Sequence, residues 1–266
     1  MEQEILKTLS QMDVKWAGKQ VVYLDSVDST NEYAKKLARD GGVHGLLVAA
    51  DYQSGGKGRR GRSWMTPPGT AIAMSLILRP DLAPDRASML TLVTGLAVAE
   101  AIRKVTGLPA MLKWPNDVVV DGKKVTGILT ELSMKEGEID YVVIGIGINV
   151  NLTEFPGELK DTATSLLLET GKPADRTAVI CEAMKAFETF YERFMECGNL
   201  RGIRQDYEKI LANKDQGVRV LEPGNEYTGV ARGIDDLGQL LVEKEDGTQT
   251  NVFAGEVSVR GIYRYV

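Results

Sequence analysis

Between residues 111 and 150 four β-type runs follow one another with almost nothing between them. The runs 111–113, 118–120, 124–132 and 141–150 are separated only by the turn signals PND, DGK and KEGE. A parallel crossover needs a dozen or more residues, so segments this short return each strand antiparallel to its neighbour. Upstream, 21–24, 46–50 and 71–78 read as further strands. Ser29 or Thr30 can cap a helix over 31–39, and Asp85 opens a longer one ending near Gly107. In a last long helix Ile180, Met184, Phe187, Tyr191 and Phe194 form one apolar stripe. The expectation is an α+β fold, a mixed but mostly antiparallel sheet with helices to one side.

The style changes near residue 212. From Gln216 onward only short β-type runs occur (218–221, 227–234, 239–242, 250–253 and 257–259), broken by Pro223-Gly224, 236–238 and Asp246-Gly247. This is the pattern of a small β-barrel, which divides the chain into a larger unit over 1–211 and a smaller one over 212–266.

Composition narrows the function classes. The chain carries 32 Lys+Arg against 37 Asp+Glu, a formal charge of -5, and a pI near 5.2, which argues against a protein that coats nucleic acid. Met1 leads into the charged EQEILKTL, and no run of about 18 apolar residues occurs, so a soluble cytoplasmic protein with no membrane partner is expected. Two cysteines, Cys181 and Cys197, make no disulfide framework. The single histidine, His44, excludes a His-rich zinc site and has no nucleophile motif to serve.

On this acidic chain GGKGRRGRSW, residues 55–64, is a local exception: four cations among glycines with no acid to neutralise them. Like charges repel and ordered glycine loses much backbone freedom, so the segment has little reason to hold one shape alone and looks built to close on an anion. It lacks the GxxxxGK[ST] spacing of a P-loop. Asp28-Ser29-Thr30-Asn31 places hydroxyls and an amide at a strand-to-helix junction, where they can cap the helix or bind a polar ligand head. GIGINVN at 145–151 has valine where a dinucleotide fingerprint needs its third glycine.

DSTN at 28–31, YQ at 52–53, GKGRRGRSW at 56–64, KWPND at 113–117, GKKVTGIL at 122–129, GIGINVN at 145–151 and GEVSVR at 255–260 together resemble the biotin protein ligases. The resemblance spans roughly residues 21–260. One departure is Lys57, where the family usually has arginine; lysine keeps the charge but loses the bidentate fork. The resemblance implies a class II aminoacyl-tRNA synthetase-like, biotin-lipoate ligase core with a C-terminal SH3-like β-barrel. It also implies biotin and ATP as substrates with Mg²⁺, a biotin carboxyl carrier domain as partner, and admits a homodimer.

By residue, the resemblance implies that Ser29, Thr30 and Gln53 bind the ureido ring of biotin, with Asn31 in support and Gly56 allowing close approach. Lys124 is expected between the biotin carboxylate and the α-phosphate. Arg59 and Arg62 are expected to neutralise phosphate as the loop closes over the acyl-adenylate. Asp117 is expected to hold Mg²⁺ or to orient and deprotonate the acceptor lysine, Asn116 to contact the adenylate, Asn149 the adenine, and Trp64 to wall the nucleotide pocket. A lipoate or octanoate ligase shares the fold type but fits KWPND and GRRGR less well. A biotin-responsive DNA-binding repressor needs a three-helix reader, for which about 20 residues before the first strand are too few; the form without a DNA-binding domain, binding no nucleic acid, is expected.

Overall fold

The computed structural model describes residues 8, 9, 11–222, 224–255, 257–261, 265 and 266. Pro223 of an expected turn, Glu256 of the GEVSVR tail and residues 2–7 of the EQEILKTL segment lie outside the described residues.

Seven strands form the main sheet: β1 (Val21–Val27), β2 (Leu47–Gln53), β3 (Ala71–Leu78), β4 (Met111–Lys113), β5 (Asp117–Val120), β6 (Lys123–Lys135) and β7 (Glu138–Asn149). Their order is β1-β2-β3-β7-β6-β5-β4. The run from β4 to β7 is antiparallel throughout, as its short turns require. Left-handed Asp121-Gly122 and Glu136-Gly137 pairs, with φ of 46° and 72° and of 53° and 89°, make the two tight reversals. Only β1 and β2 are parallel, and helix α1 (Thr30–Arg39) supplies the crossover between them.

The helices do not all lie to one side. Helix α1 packs Ala34 and Ala38 onto Val48, Ile77 and Val143. The long helices α2 (Met89–Thr106) and α3 (Arg176–Cys197) cover the opposite face, against Leu47, Ala49, Leu76, Leu78, Val142 and Ile144. The alternation of strand side chains explains the split: odd and even neighbours on β2, β3 and β7 belong to different cores. Strand β3, covered on both faces, is buried along its whole length and therefore reads as an apolar run broken only by Ser75. The expected start of α2 at Asp85 is also corrected. Pro84–Arg86 forms a separate 3₁₀ turn, and the α-helix begins at Met89. Its end holds, with Gly107 left-handed at φ 75°.

The second sheet contains β8 (Gly217–Glu222), β9 (Asn225–Ile234), β10 (Leu240–Glu243), β11 (Gln249–Val252) and β12 (Ser258–Gly261), all antiparallel in the order β11-β10-β9-β8-β12. Val218, Val220, Ala231, Ile234, Leu240 and Val242 join the same core as α2 and α3. The KWPND segment joins the two sheets. Trp114 is fully buried, its indole N–H donates to the Gly238 carbonyl at 2.9 Å, and its backbone N–H donates to Asn213 Oδ1 at 2.8 Å. Both donors of this large side chain's segment are thus satisfied inside the core.

Candidate active site

Two cavities open on the side of the sheet where β2 ends, α1 begins and the glycine-rich loop crosses. The inner one is lined by Ser29, Thr30, Asn31, Gln53, Trp64 and the facing glycines of β6 and β7. Gln53 Oε1 accepts from the backbone N–H of Thr30 at 2.8 Å and from its hydroxyl at 3.0 Å, while Nε2 donates to Thr66 Oγ1 at 3.1 Å. The Ser75 hydroxyl lies 2.8 Å from Thr30 Oγ1 and 2.6 Å from Asn31 Oδ1. Asn31 donates to Glu131 Oε2 at 2.7 Å. Helix capping does not explain this cluster, because Ser29 makes no side-chain cap bond. It is a buried polar network on one side of a cavity that Trp64, Ile128, Leu129 and Ile146 also line, as a polar ligand head requires.

The strand glycines now have a reason. A Cβ at Gly145 would sit 2.2 Å from Asn31 Oδ1, and one at Gly147 would sit 2.3 Å from the Trp64 ring. Side chains on β7 would therefore close the cavity. Trp64 lies across this floor and lines both cavities, not only the outer one. Its indole N–H is buried without a partner. Water-sized free space in the inner cavity is only about 50 Å³, against about 420 Å³ in the outer one. The Trp64 ring lies over Gly127 and Gly147 on the cavity floor, and an acceptor on a ligand there can satisfy the orphaned N–H.

Hydrogen bonds within the basic loop tie its two arms together. Gly58 N–H donates to the Arg62 carbonyl at 2.7 Å and Trp64 N–H to that of Gly56 at 2.8 Å. Gly56 itself packs where a Cβ would meet the Trp64 carbonyl and Gln53 Nε2. Partners outside the loop offset the repulsion. Lys57 Nζ pairs with Glu32 Oε1 on α1 at 2.6 Å. Arg59 donates to Asn116 Oδ1 at 2.7 Å and to the Gly255 carbonyl, in the connection between β11 and β12, at 2.6 Å. Lys35 and Lys57 together hold the Glu32 carboxyl down at about 2. Position 57 thus serves as a point-charge anchor on α1, a task that does not need arginine's fork.

The outer cavity is lined by Arg59, Arg62, Trp64, Asn116, Asp117, Lys124 and Asn149, with Leu152 and Phe155 among its apolar walls. Asn149 is buried and donates to the Thr164 carbonyl at 3.1 Å; Asn116 donates to that of Ile128 at 3.2 Å. Lys124 Nζ lies 2.5 Å from Asp117 Oδ1, and Lys113 Nζ is 4.0 Å from Oδ2. Burial works against charge on Asp117, but Lys124 and Lys113 outweigh it and keep the carboxyl below its ordinary range. Burial dominates at Lys113, bringing its ammonium to about 8 despite Asp117. Every site residue expected from the sequence lies on one of these cavities or, like Gly56, directly beside them.

The sequence reading missed Lys113, Tyr265, Glu32 and the cavity-floor roles of Gly127, Gly145 and Gly147. The glycines did carry a signal, alternating at 145 and 147 on a strand, the period at which they share one face.

Comparison with known proteins agrees with this geometry. Residues 23–149 match the Biotin/lipoate A/B protein ligase family, and residues 215–260 match the Biotin protein ligase C terminal domain. The chain is 38% identical over 244 residues to the bifunctional ligase/repressor BirA of Bacillus spizizenii, covering 91% of this chain and 74% of that protein. It is 34% identical to the biotin--[acetyl-CoA-carboxylase] ligase of Paracoccus denitrificans, covering 90% of this chain and all of that one. The solved biotin protein ligase of Aquifex aeolicus in complex with biotin and ATP superposes with a TM-score of 0.80 at 35% identity, over 91% of this chain and 99% of that one. The fold, the two adjoining cavities and these relatives together place the chain in the biotin protein ligase family, as an enzyme of that type.

Proposed function

We propose that the chain joins biotin to ATP as biotinyl-5′-AMP and then transfers the biotinyl group to one lysine of a biotin carboxyl carrier domain. One observation carries this reading: Lys124 lines both cavities and stands where they meet. A biotin carboxylate reaching out of the inner cavity and an α-phosphate in the outer one would share its ammonium. In the first step a carboxylate oxygen attacks the α-phosphorus, forming the acyl–phosphate bond as pyrophosphate leaves. In the second, the neutral acceptor amine attacks the acyl carbon, the carbon–oxygen bond to phosphate breaks, AMP leaves and the amine's proton passes to solvent. Lys124, Arg59 and Arg62 offset the charge that builds on the phosphate oxygens. Ser29, Thr30, Asn31 and Gln53 supply the donors and acceptors for the ureido ring, with Gly56 close behind. Asn116 and Asn149 present amides to the nucleotide, and Trp64 covers the join.

Mg²⁺ enters this reading as part of the MgATP substrate. Asp117 is not free to act as its protein ligand while Lys124 faces Oδ1 and Tyr265 and Lys113 hold Oδ2. No group of three His, Cys, Asp or Glu that could hold a metal occurs among the described residues. A carboxyl held below its ordinary range is also a weak base, so Asp117 suits aiming Lys124 and the incoming amine better than taking a proton. No helix among the described residues is long and apolar enough to cross a membrane.

Incubating the chain with biotin, MgATP and an isolated carrier domain tests the proposal. Intact-mass measurement should show one biotinyl group per carrier, at a single lysine. A carrier left unmodified, while a lipoyl domain is acylated with lipoate or octanoate, would move the chain to the other branch of the family.

A further inference from the structure

The penultimate residue, Tyr265, reaches into the outer cavity from the C-terminal side, 148 positions from its partner. Its hydroxyl donates to Asp117 Oδ2 at 2.5 Å, and its ring lies 4.4 Å beneath the Lys113 ammonium. The two oxygens of Asp117 therefore have different company. Oδ2 is held by Tyr265 and, at 4.0 Å, by Lys113, whose side chain is 6% exposed and whose Nζ also donates to the Val259 carbonyl at 3.0 Å. Oδ1 faces the Lys124 ammonium at 2.5 Å. Lys124 is 24% exposed and is the lysine that borders both cavities, whereas Lys113 borders only the outer one. Lys124 can leave; Lys113 cannot.

Resting on the ligase reading above, we infer that Tyr265 is a positioning residue for adenylation. Its hydroxyl holds Asp117 in place on the Oδ2 side, so that Lys124 can leave Oδ1 for the substrate without stranding a buried carboxylate. An uncompensated buried charge is costly, and a phenol donating to a carboxylate is a strong, charge-assisted bond. Without that hydroxyl, Asp117 depends more heavily on Lys124 and releases it less readily. Tyr265 touches no substrate in this scheme and acts only through Asp117 and Lys124.

Single-turnover formation of biotinyl-AMP at saturating biotin and ATP tests this in the full-length chain, with the thermal midpoint recorded for each variant. Tyr265→Phe should slow the step about tenfold at an unchanged midpoint. In a Lys124→Ala background the same substitution should have no further effect, because the group it serves is gone. A similar loss in both backgrounds would assign Tyr265 a merely structural role and overturn the inference. An unchanged rate would also overturn it, as would a faster one, the result expected if the phenol only occupied space needed by the nucleotide. Failure of the ligase reading is seen separately, as absence of biotin-dependent turnover in the unaltered chain, and the inference would fall with it.

Discussion

In the proposed reaction Lys124 carries the central charge, and its environment sets what its loss should do. Lys124→Ala removes the one ammonium shared by the two cavities, and adenylation should slow by roughly 10²-fold or more. The fold should survive, since β6 keeps its pairing and Asp117 retains Lys113 and Tyr265. Pre-steady-state rates beside a thermal melt check both halves of that statement. Gly147→Ala is the complementary case, a site defined by the absence of a side chain. Its methyl would collide with the Trp64 ring, and overpacking of this kind costs about 1–3 kcal/mol. Because the ring lies on the floor of the inner cavity, biotin affinity should fall more than the melting temperature suggests. Calorimetric titration of the variant with biotin reads this directly. At this scale, motif residues such as Gln53 and Lys124 were legible in the sequence because their neighbours form recognisable short strings. Tyr265 was not: its partner Asp117 lies 148 positions away in the chain, and no motif surrounds it.

In the proposed reaction, retention of the intermediate would depend on the glycine-rich loop. It is fastened at two points, Lys57 to Glu32 on α1 and Arg59 to Asn116 and Gly255. These fasteners differ in strength. The Lys57–Glu32 pair is largely exposed, and such pairs contribute about 0–1 kcal/mol. Glu32→Gln should therefore raise the release of biotinyl-AMP only about twofold to fivefold. The Glu32 carboxyl is held near 2, below its ordinary 4.5. A depressed carboxyl gives its full contribution above the ordinary value and loses it as pH falls towards 2, so this fastener should be insensitive to pH between 5 and 8 and sensitive to salt. Arg59→Gly removes the second fastener and a phosphate partner together. It should release the intermediate faster than Glu32→Gln does, with indiscriminate labelling of nearby lysines as the readout. The sequence showed that this loop was basic and glycine-rich and that it should meet an anion. It did not show the fasteners, because Glu32 and Gly255 are brought to the loop by α1 packing on one sheet and by the second sheet packing on the other.

The whole molecule joins two sheets through one core, and the outer cavity lies where they meet. Trp114, Asn213 and Gly238 tie the KWPND segment to the second sheet, and Lys113 reaches across to Val259. Trp114→Ala should cost about 3–5 kcal/mol of stability and weaken ATP binding as well, since residues on both sides of this joint line the outer cavity. A denaturant titration paired with an ATP titration tests that coupling. The strand series from β4 to β7 was legible because short turns force antiparallel return, and the second sheet because turn residues recur at close intervals. The helix on the opposite face was not. A short amphipathic helix shows one apolar stripe, and that stripe does not say which side of a two-faced sheet it will cover.

In the proposed reaction this site activates biotin with ATP. Exchange of labelled pyrophosphate into ATP measures that step alone, with no carrier present. Biotin should support exchange in the unaltered chain, lipoate and octanoate should not, and Lys124→Ala should lose most of it while remaining folded. Exchange supported by lipoate or octanoate in place of biotin, or undiminished exchange in Lys124→Ala, would contradict the account.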